Sequence, residues 1–172
     1  LYTDALTGAK NRWYFEEEIP RLLNQARRHK WNLSIAVIDI NDFKQINDNF
    51  SHLVGDIVLN TVAKELKEIF RTSDIVVRYG GDEFVIVLPE TSKEEGIKAM
   101  HRLFSRFSNF VLTPIPDRPL QVMLSVGLAT FPQDGDSLET LFSRADEAVY
   151  VVKRDDKNGF AIAGETIEKV YF

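Results

Sequence analysis

Arg78-Tyr79-Gly80-Gly81-Asp82-Glu83-Phe84 separates two runs of strand-forming residues, Ile75-Val76-Val77 before it and Phe84-Val85-Ile86-Val87-Leu88 after it. β-Branched and aromatic residues dominate both runs, so the stretch reads as the tip of a β-hairpin. Gly80 and Gly81 suit a two-residue turn in which both central residues take positive φ, and that conformation is expected here. The two acids need another reason. Asp and Glu are poor strand formers, and placing both where a hydrophobic strand begins makes sense if the hairpin delivers carboxylates to a cation or a polar ligand. Taken alone, Gly-Gly-Asp is more often a plain turn than a site, so the case for a site rests on its neighbours.

Outward from the hairpin, the spacing of apolar residues sets the other elements. Leu33 to Ile38 is a nearly continuous apolar run, as expected of a strand covered on both faces, and it ends on Asp39. Val54 to Phe70 repeats apolar residues at Leu59, Val62, Leu66 and Ile69, one face of a helix packed on the sheet. Asn11 to Lys30 reads as an earlier amphipathic helix with Phe15, Ile19, Leu22, Leu23 and Ala26 on one side. Its basic residues Arg27 to Lys30 stand where the dipole favours cations, and Pro20 is expected to kink it or begin a second segment. Downstream, Thr91 and Glu94 have capping-box spacing, and Ile97, Met100, Leu103, Phe104 and Phe107 continue as a helical stripe.

Asn109 to Pro119, with three prolines, reads as a connection with a short edge strand. Val122, Leu124, Val126 and Leu128 alternate with Met123, Ser125, Gly127 and Ala129, a strand whose small face would admit a helix or ligand closely. Pro132 to Asp136 is a loop, Ser137 a candidate N-cap, and Leu138, Leu141, Phe142, Ala145, Val149 and Val152 trace the last helix. Phe160 to Ala163 is placed to close the sheet, and the tail after Gly164 carries no pattern. The order is therefore a helix, then βαββαβ, then a helix and a final strand, an α/β arrangement without repeats or linkers.

At 172 residues the chain suits one domain, long enough to bury a substantial core. Its 44% hydrophobic and 27% charged residues are ordinary for a soluble globular protein. No apolar run approaches a membrane span, and the first residues lack the pattern of a signal peptide. A start without Met leads us to expect part of a longer protein, one whose other regions could anchor it to a membrane. The absence of cysteine excludes disulfides and thiolate metal sites and suits a reducing cytoplasm. A net charge of −5 argues against general nucleic-acid binding while leaving room for a local basic pocket for nucleotide phosphates.

Asp39 ends the first core strand and Asp82 sits at the hairpin tip, so a sheet that sets these strands side by side brings both carboxylates to one edge. Magnesium keeps several waters and takes one or two carboxylates plus phosphate oxygens. Two acids without His or Cys therefore suggest Mg²⁺ on a nucleotide rather than zinc.

Successive motifs extend this reading. They are Asp4-Ala5-Leu6-Thr7-Gly8-Ala9-Lys10-Asn11-Arg12, then Asp39-Ile40-Asn41-Asp42-Phe43-Lys44-Gln45-Ile46-Asn47-Asp48, then His52 with Gly55-Asp56. Gly80-Gly81-Asp82-Glu83-Phe84, Ser125-Val126-Gly127 and Ala145-Asp146-Glu147-Ala148-Val149-Tyr150 with Lys153 complete the series. Together they resemble, over nearly the whole chain and in order, the GGDEF family of diguanylate cyclase domains, which condense two GTP into cyclic di-GMP. The resemblance implies an α+β fold like nucleotide cyclase and polymerase palm domains, with a mostly antiparallel sheet flanked by helices and a single domain over residues 1–172.

It also implies roles. Asp39, Asp82, Glu83 and the Ile40 carbonyl would hold two Mg²⁺ or Mn²⁺ ions, with Asp39, Asp82 and Glu83 also catalytic and Glu83 near the attacking 3′-hydroxyl. Asn47 and Asp56 would read guanine, since a carboxylate can accept from N1–H and the 2-amino group together. Phe43 and His52 would line the substrate site, Gly80 and Gly81 would leave room for phosphates, and Lys44, Lys153 and Lys157 would bind them. Arg71, Asp74 and Arg102 match an inhibitory site for the product, where arginine forks and an acid suit guanine and phosphate. Catalysis would need a homodimer, without nucleic-acid or membrane contact by this domain. The rival reading is a non-catalytic module that binds GTP or cyclic di-GMP, against which the intact Gly80 to Phe84 motif argues. Asn41, Ser51 and Asp156-Lys157 depart from the family pattern, and Lys157 keeps a charge while losing an arginine fork.

Overall fold

The computed structural model describes residues 1–155 and 158–172. In chain order the elements are β1 (Lys10–Asn11), α1 (Arg12–His29), β2 (Leu33–Ile40), α2 (Phe43–Asn49), α3 (His52–Ile69), β3 (Ile75–Arg78) and β4 (Glu83–Pro89). There follow α4 (Lys93–Phe107), β5 (Phe110–Ile115), β6 (Arg118–Val122), β7 (Leu124–Phe131), α5 (Leu138–Arg154), β8 (Gly159–Ile162) and β9 (Glu168–Tyr171).

Seven strands form one sheet in the order β1-β3-β4-β2-β7-β8-β9, with β2 antiparallel to both β4 and β7 at its centre. The sheet is mostly antiparallel, as expected, with parallel pairings only at β1/β3 and β7/β8 among the described residues. Alternation along the strands builds two cores. Ala36, Ile38, Phe84, Ile86 and Leu128 meet α3 and α4 on one face, while Ile35, Val37, Val85 and Val87 meet α1 and α5 on the other. This two-sided burial is why β2 and β4 read as unbroken apolar runs.

The small face expected around Gly127 is used by α5. A β-carbon at Gly127 would collide with the carbonyl oxygen of Ala145, so the missing side chain is what lets that helix lie against β7. Ser137 caps α5 by accepting from the Thr140 amide at 3.1 Å.

The structure corrects several expectations. Gly80 and Gly81 do not have positive φ, and the turn is not a two-residue one. Tyr79 to Asp82 form a four-residue tip, closed by Tyr79 N–H to Glu83 O at 2.9 Å. The capping box lies one residue later than its predicted place. Ser92 and Glu95 make the reciprocal bonds at 3.2 and 3.0 Å, while Thr91 is buried and donates to Pro89 O. Pro20 interrupts nothing, and α1 runs through it as one helix. The segment read as a connection is a two-stranded hairpin, β5–β6, turning at Asp117 with φ 63°. Val122 ends that hairpin rather than beginning β7, and the tail forms β9 against β8.

Candidate active site

The end of β2 gathers the acids. Asp39 pairs in register with Glu83 of β4 on one side and with Ser125 of β7 on the other, so these three side chains share a face. Asp82 is drawn in by its main chain, whose carbonyl accepts from Ile40 N–H at 3.2 Å. From above, α5 supplies Lys153, whose Nζ donates to Asp39 Oδ2 at 2.6 Å.

Electrostatics follow from this crowding. Burial pushes the Asp82 carboxyl above the usual aspartate range, and the charge and contact of Asp39 push it further, with Lys153 opposing. Glu83 is raised by burial, then by Asp39, Asp82 and Asp146. Lys153 is raised by its hydrogen bond to Asp39 and by the neighbouring carboxylates, against the effect of burial, so it stays charged.

A divalent cation fits these residues. Asp39 Oδ1 is buried and has no hydrogen-bond partner among the described residues, and the carboxylates beside it repel one another. A hard cation would satisfy the first and relieve the second. Among the described residues no three or more His, Asp or Glu side chains form a metal cluster, so most of a cation's shell would come from carbonyls, water and ligand.

Gly80 has a side-chain rather than a backbone reason. A β-carbon at Gly80 would stand 3.1 Å from Glu83 Oε1, and one at Gly81 would meet nothing within 4 Å. Gly80 thus leaves space for the Glu83 carboxylate, and Gly81 leaves the tip open. Arg78, the first residue of the quoted stretch, ties that tip down by donating to the Gly81 carbonyl at 2.9 Å and to Asp4.

Beyond β2, α2 carries Phe43, Lys44 and Asn47, and α3 begins with His52 and carries Asp56. Lys44, His52 and Asp56 are exposed, whereas Asn47 Oδ1 is buried without a partner among the described residues. Asn41 lies beside Ser125, whose hydroxyl is 2.6 Å from Asn41 Oδ1. Lys157 lies outside the described residues. Its neighbour Asn158 is buried, accepting from Leu124 N–H at 2.8 Å and donating to Phe107 O at 2.6 Å.

Arg71, Asp74 and Arg102 also come together. They line a cavity of about 260 Å³ with Thr91, Glu95 and Lys98. The Asp74 carboxylate accepts from Arg71 Nη2 at 3.2 Å and from the Arg71 amide at 2.9 Å, while Arg71 Nη2 also donates to Thr91 Oγ1 at 3.0 Å. Arg102 comes from α4 and donates to Ile69 O at 3.2 Å.

Sequence reasoning assigned no role to Arg78, Asp4, Ser125 or Asn158. A charged residue at the end of an apolar strand was the only available sign for Arg78, since its partner Asp4 is remote in sequence.

Residues 1–159 match the family model described as "Diguanylate cyclase, GGDEF domain". The chain is 37% identical to diguanylate cyclase DgcP of Pseudomonas aeruginosa over 94% of its own length and 24% of the relative's. It is likewise 37% identical to the response regulator PleD of Caulobacter vibrioides over 95% of this chain and 36% of that one. The GGDEF domain of TpbB from Pseudomonas aeruginosa superposes with a TM-score of 0.83 at 32% identity, covering 89% of each chain. The GGDEF domain of DgcB from Caulobacter crescentus, solved in complex with c-di-GMP, superposes with a TM-score of 0.83 at 28% identity, covering 96% of this chain and 94% of that one. The chain belongs to the diguanylate cyclase GGDEF-domain family. It spans between about a quarter and about a third of the curated relatives DgcP and PleD. Divalent-metal dependence is general among cyclases of this family.

Proposed function

We propose that this domain is a diguanylate cyclase, condensing two GTP into cyclic di-GMP with release of pyrophosphate. The observation that carries the reading is the convergence of Asp39, Asp82 and Glu83 at one end of the central strands, with Lys153 on Asp39. In each of two steps a 3′-hydroxyl oxygen bonds to the α-phosphorus of the other nucleotide, and the bond from that phosphorus to the pyrophosphate oxygen breaks. One domain has one such set of groups, so two copies face each other, each holding one GTP.

Asp39, Asp82 and the Ile40 carbonyl are assigned to two Mg²⁺ or Mn²⁺ ions. When bound, these neutralise triphosphate charge and polarise the attacking and leaving oxygens. Glu83, beside Asp39 at the end of the sheet, receives the 3′-hydroxyl proton on its carboxylate. Lys153, Lys44 and Lys157 supply positive charge to the phosphates. Gly81 lets the triphosphate approach the tip, and Gly80 leaves the Glu83 carboxylate its place.

Asn47 and Asp56 read guanine, flanked by Phe43 and His52. Gly55, next to Asp56 in sequence, makes room for the Asn47 side chain, and this nearness of the two residues supports the reading. Product binds at Arg71, Asp74 and Arg102 and slows synthesis from there. No described helix is long and apolar enough to cross a membrane, and we place the domain in the cytoplasm, where its substrate is.

The test is incubation of concentrated protein with GTP and Mg²⁺, followed by chromatography of the products. Cyclic di-GMP and pyrophosphate are expected. Recovery of unchanged GTP, or of GDP alone, would overturn the proposal.

A further inference from the structure

Gly55 sits in the first turns of α3, is buried, and does not have positive φ. Its backbone therefore has no need of glycine, and alanine would be the better helix former. What excludes a side chain is Asn47. The β-carbon position of Gly55 collides with Asn47 Oδ1 and lies 3.0 Å from Asn47 Cγ and 3.2 Å from Phe43 Cζ. That same Oδ1 is buried and makes no hydrogen bond among the described residues.

For the fold alone both features are unfavourable. A helical glycine weakens α3, and a buried acceptor without a donor loses the hydrogen bond it had to water. Both make sense if the Asn47 side chain must be held in one place, its amide seated in the space that Gly55 leaves.

We infer that Gly55 is a positioning residue for guanine binding, holding the Asn47 side chain in place by leaving it the space a β-carbon would fill. The inference rests on the proposal that Asn47 reads guanine. A side chain at position 55 would push Asn47 out of its seat, leaving the residue present but its amide displaced.

The experiment is calorimetry with 3′-deoxy-GTP and Mg²⁺, a nucleotide that lacks the attacking hydroxyl, so binding is read without turnover. Parent, Gly55→Ala, Asn47→Ala and the double variant are compared, with thermal midpoints for each. Each single variant is expected to bind roughly three- to tenfold more weakly, the worth of one hydrogen bond. In the Asn47→Ala background, Gly55→Ala should cost nothing further, because its effect passes through the side chain already removed. If Gly55→Ala is unfolded and Asn47→Ala rescues it, the collision is located at Asn47, and the inference then stands only if Asn47→Ala alone weakens binding and the double variant binds no more weakly. If Gly55→Ala binds like the parent while Asn47→Ala is weakened, the inference fails and the guanine reading stands. If Asn47→Ala binds like the parent, the guanine reading itself fails. Equal losses from Gly55→Ala in both backgrounds, or a double variant that does not fold, would make Gly55 a packing residue and overturn the inference.

Discussion

Arg78 holds Asp4 and the signature loop at once. Its Nη1 donates to the Asp4 carboxylate at 3.2 and 3.3 Å, while Nη2 and Nε donate to the Gly81 carbonyl at 2.9 and 3.3 Å. The segment entering the domain is thereby fastened to the tip that carries Asp82. The two side chains are only 17% and 20% exposed, so this pair is screened less than a surface one. Arg78→Ala should cost about 1 to 3 kcal/mol of stability, between the surface and fully buried cases. Arg78→Lys should recover part of the stability but less of any cyclase activity, since lysine lacks the fork that spans both partners. Urea denaturation alongside initial-rate assays measures the two effects separately.

The same pair sets a pH dependence. Burial would raise the Asp4 pKa, but hydrogen bonds from the Thr7 hydroxyl and amide, with Arg78, outweigh it and hold the carboxyl below the ordinary value of 3.8. A depressed folded-state pKa gives stability that is complete above the unfolded value and lost as pH falls through the folded one. Asp4→Asn should therefore be less stable than the parent at neutral pH, with the gap closing only below about pH 3.8. Thermal midpoints of both proteins at pH 7, 5 and 3 check this. A gap that closed between pH 7 and 5 would contradict the assignment.

Asp82 should show the opposite balance between stability and function. Its carboxylate is raised by burial and by Asp39, so its charged form is disfavoured in the fold at neutral pH without metal. Asp82→Asn removes that repulsion and should raise the thermal midpoint in chelator. Loss of a metal ligand removes several kcal/mol of charge stabilisation, so cyclic di-GMP formation should fall by at least about a hundredfold. A variant that is folded and still active would remove Asp82 from the metal site.

Arg71→Ala should relieve inhibition by added cyclic di-GMP while leaving the KM for GTP nearly unchanged. Arg71 lies beyond the far end of β3 from the tip, so a ligand there need not enter the GTP site. Initial rates across a series of product concentrations decide it. Inhibition that is unchanged in the variant, or competitive with GTP, would return Arg71 and Asp74 to a structural ion pair.

Much of this was legible in the residues. Where an element is specified by its own periodicity, as in β2, β4, α3 and α5, sequence and structure agree on it, because two-sided or one-sided burial leaves a pattern in the side chains. That Asp39 and Asp82 meet at one end of the sheet was legible for a related reason, since each stands at the end of an apolar run and the two strands pair. The chain also suggested that Gly127 admits a close neighbour, though not that the neighbour is the main chain of Ala145.

What tertiary structure alone decided were pairings between distant segments. The hairpin β5–β6 is interrupted by Pro114 and Pro119 and packs Phe110, Leu112 and Leu120 against the core, so its strands are sustained by contacts that local pattern does not reveal. Likewise β9 is largely exposed and charged, and becomes a strand because β8 offers it a free edge. Gly80 and Gly81 looked like turn residues, yet neither has positive φ, and what a side chain at Gly80 would crowd is Glu83, a property of its surroundings. Arg78 depends on Asp4 far away in the chain, and Gly55 on Asn47 in another helix. Burial and periodicity are recorded residue by residue, whereas which two surfaces meet is a property of the whole folded chain.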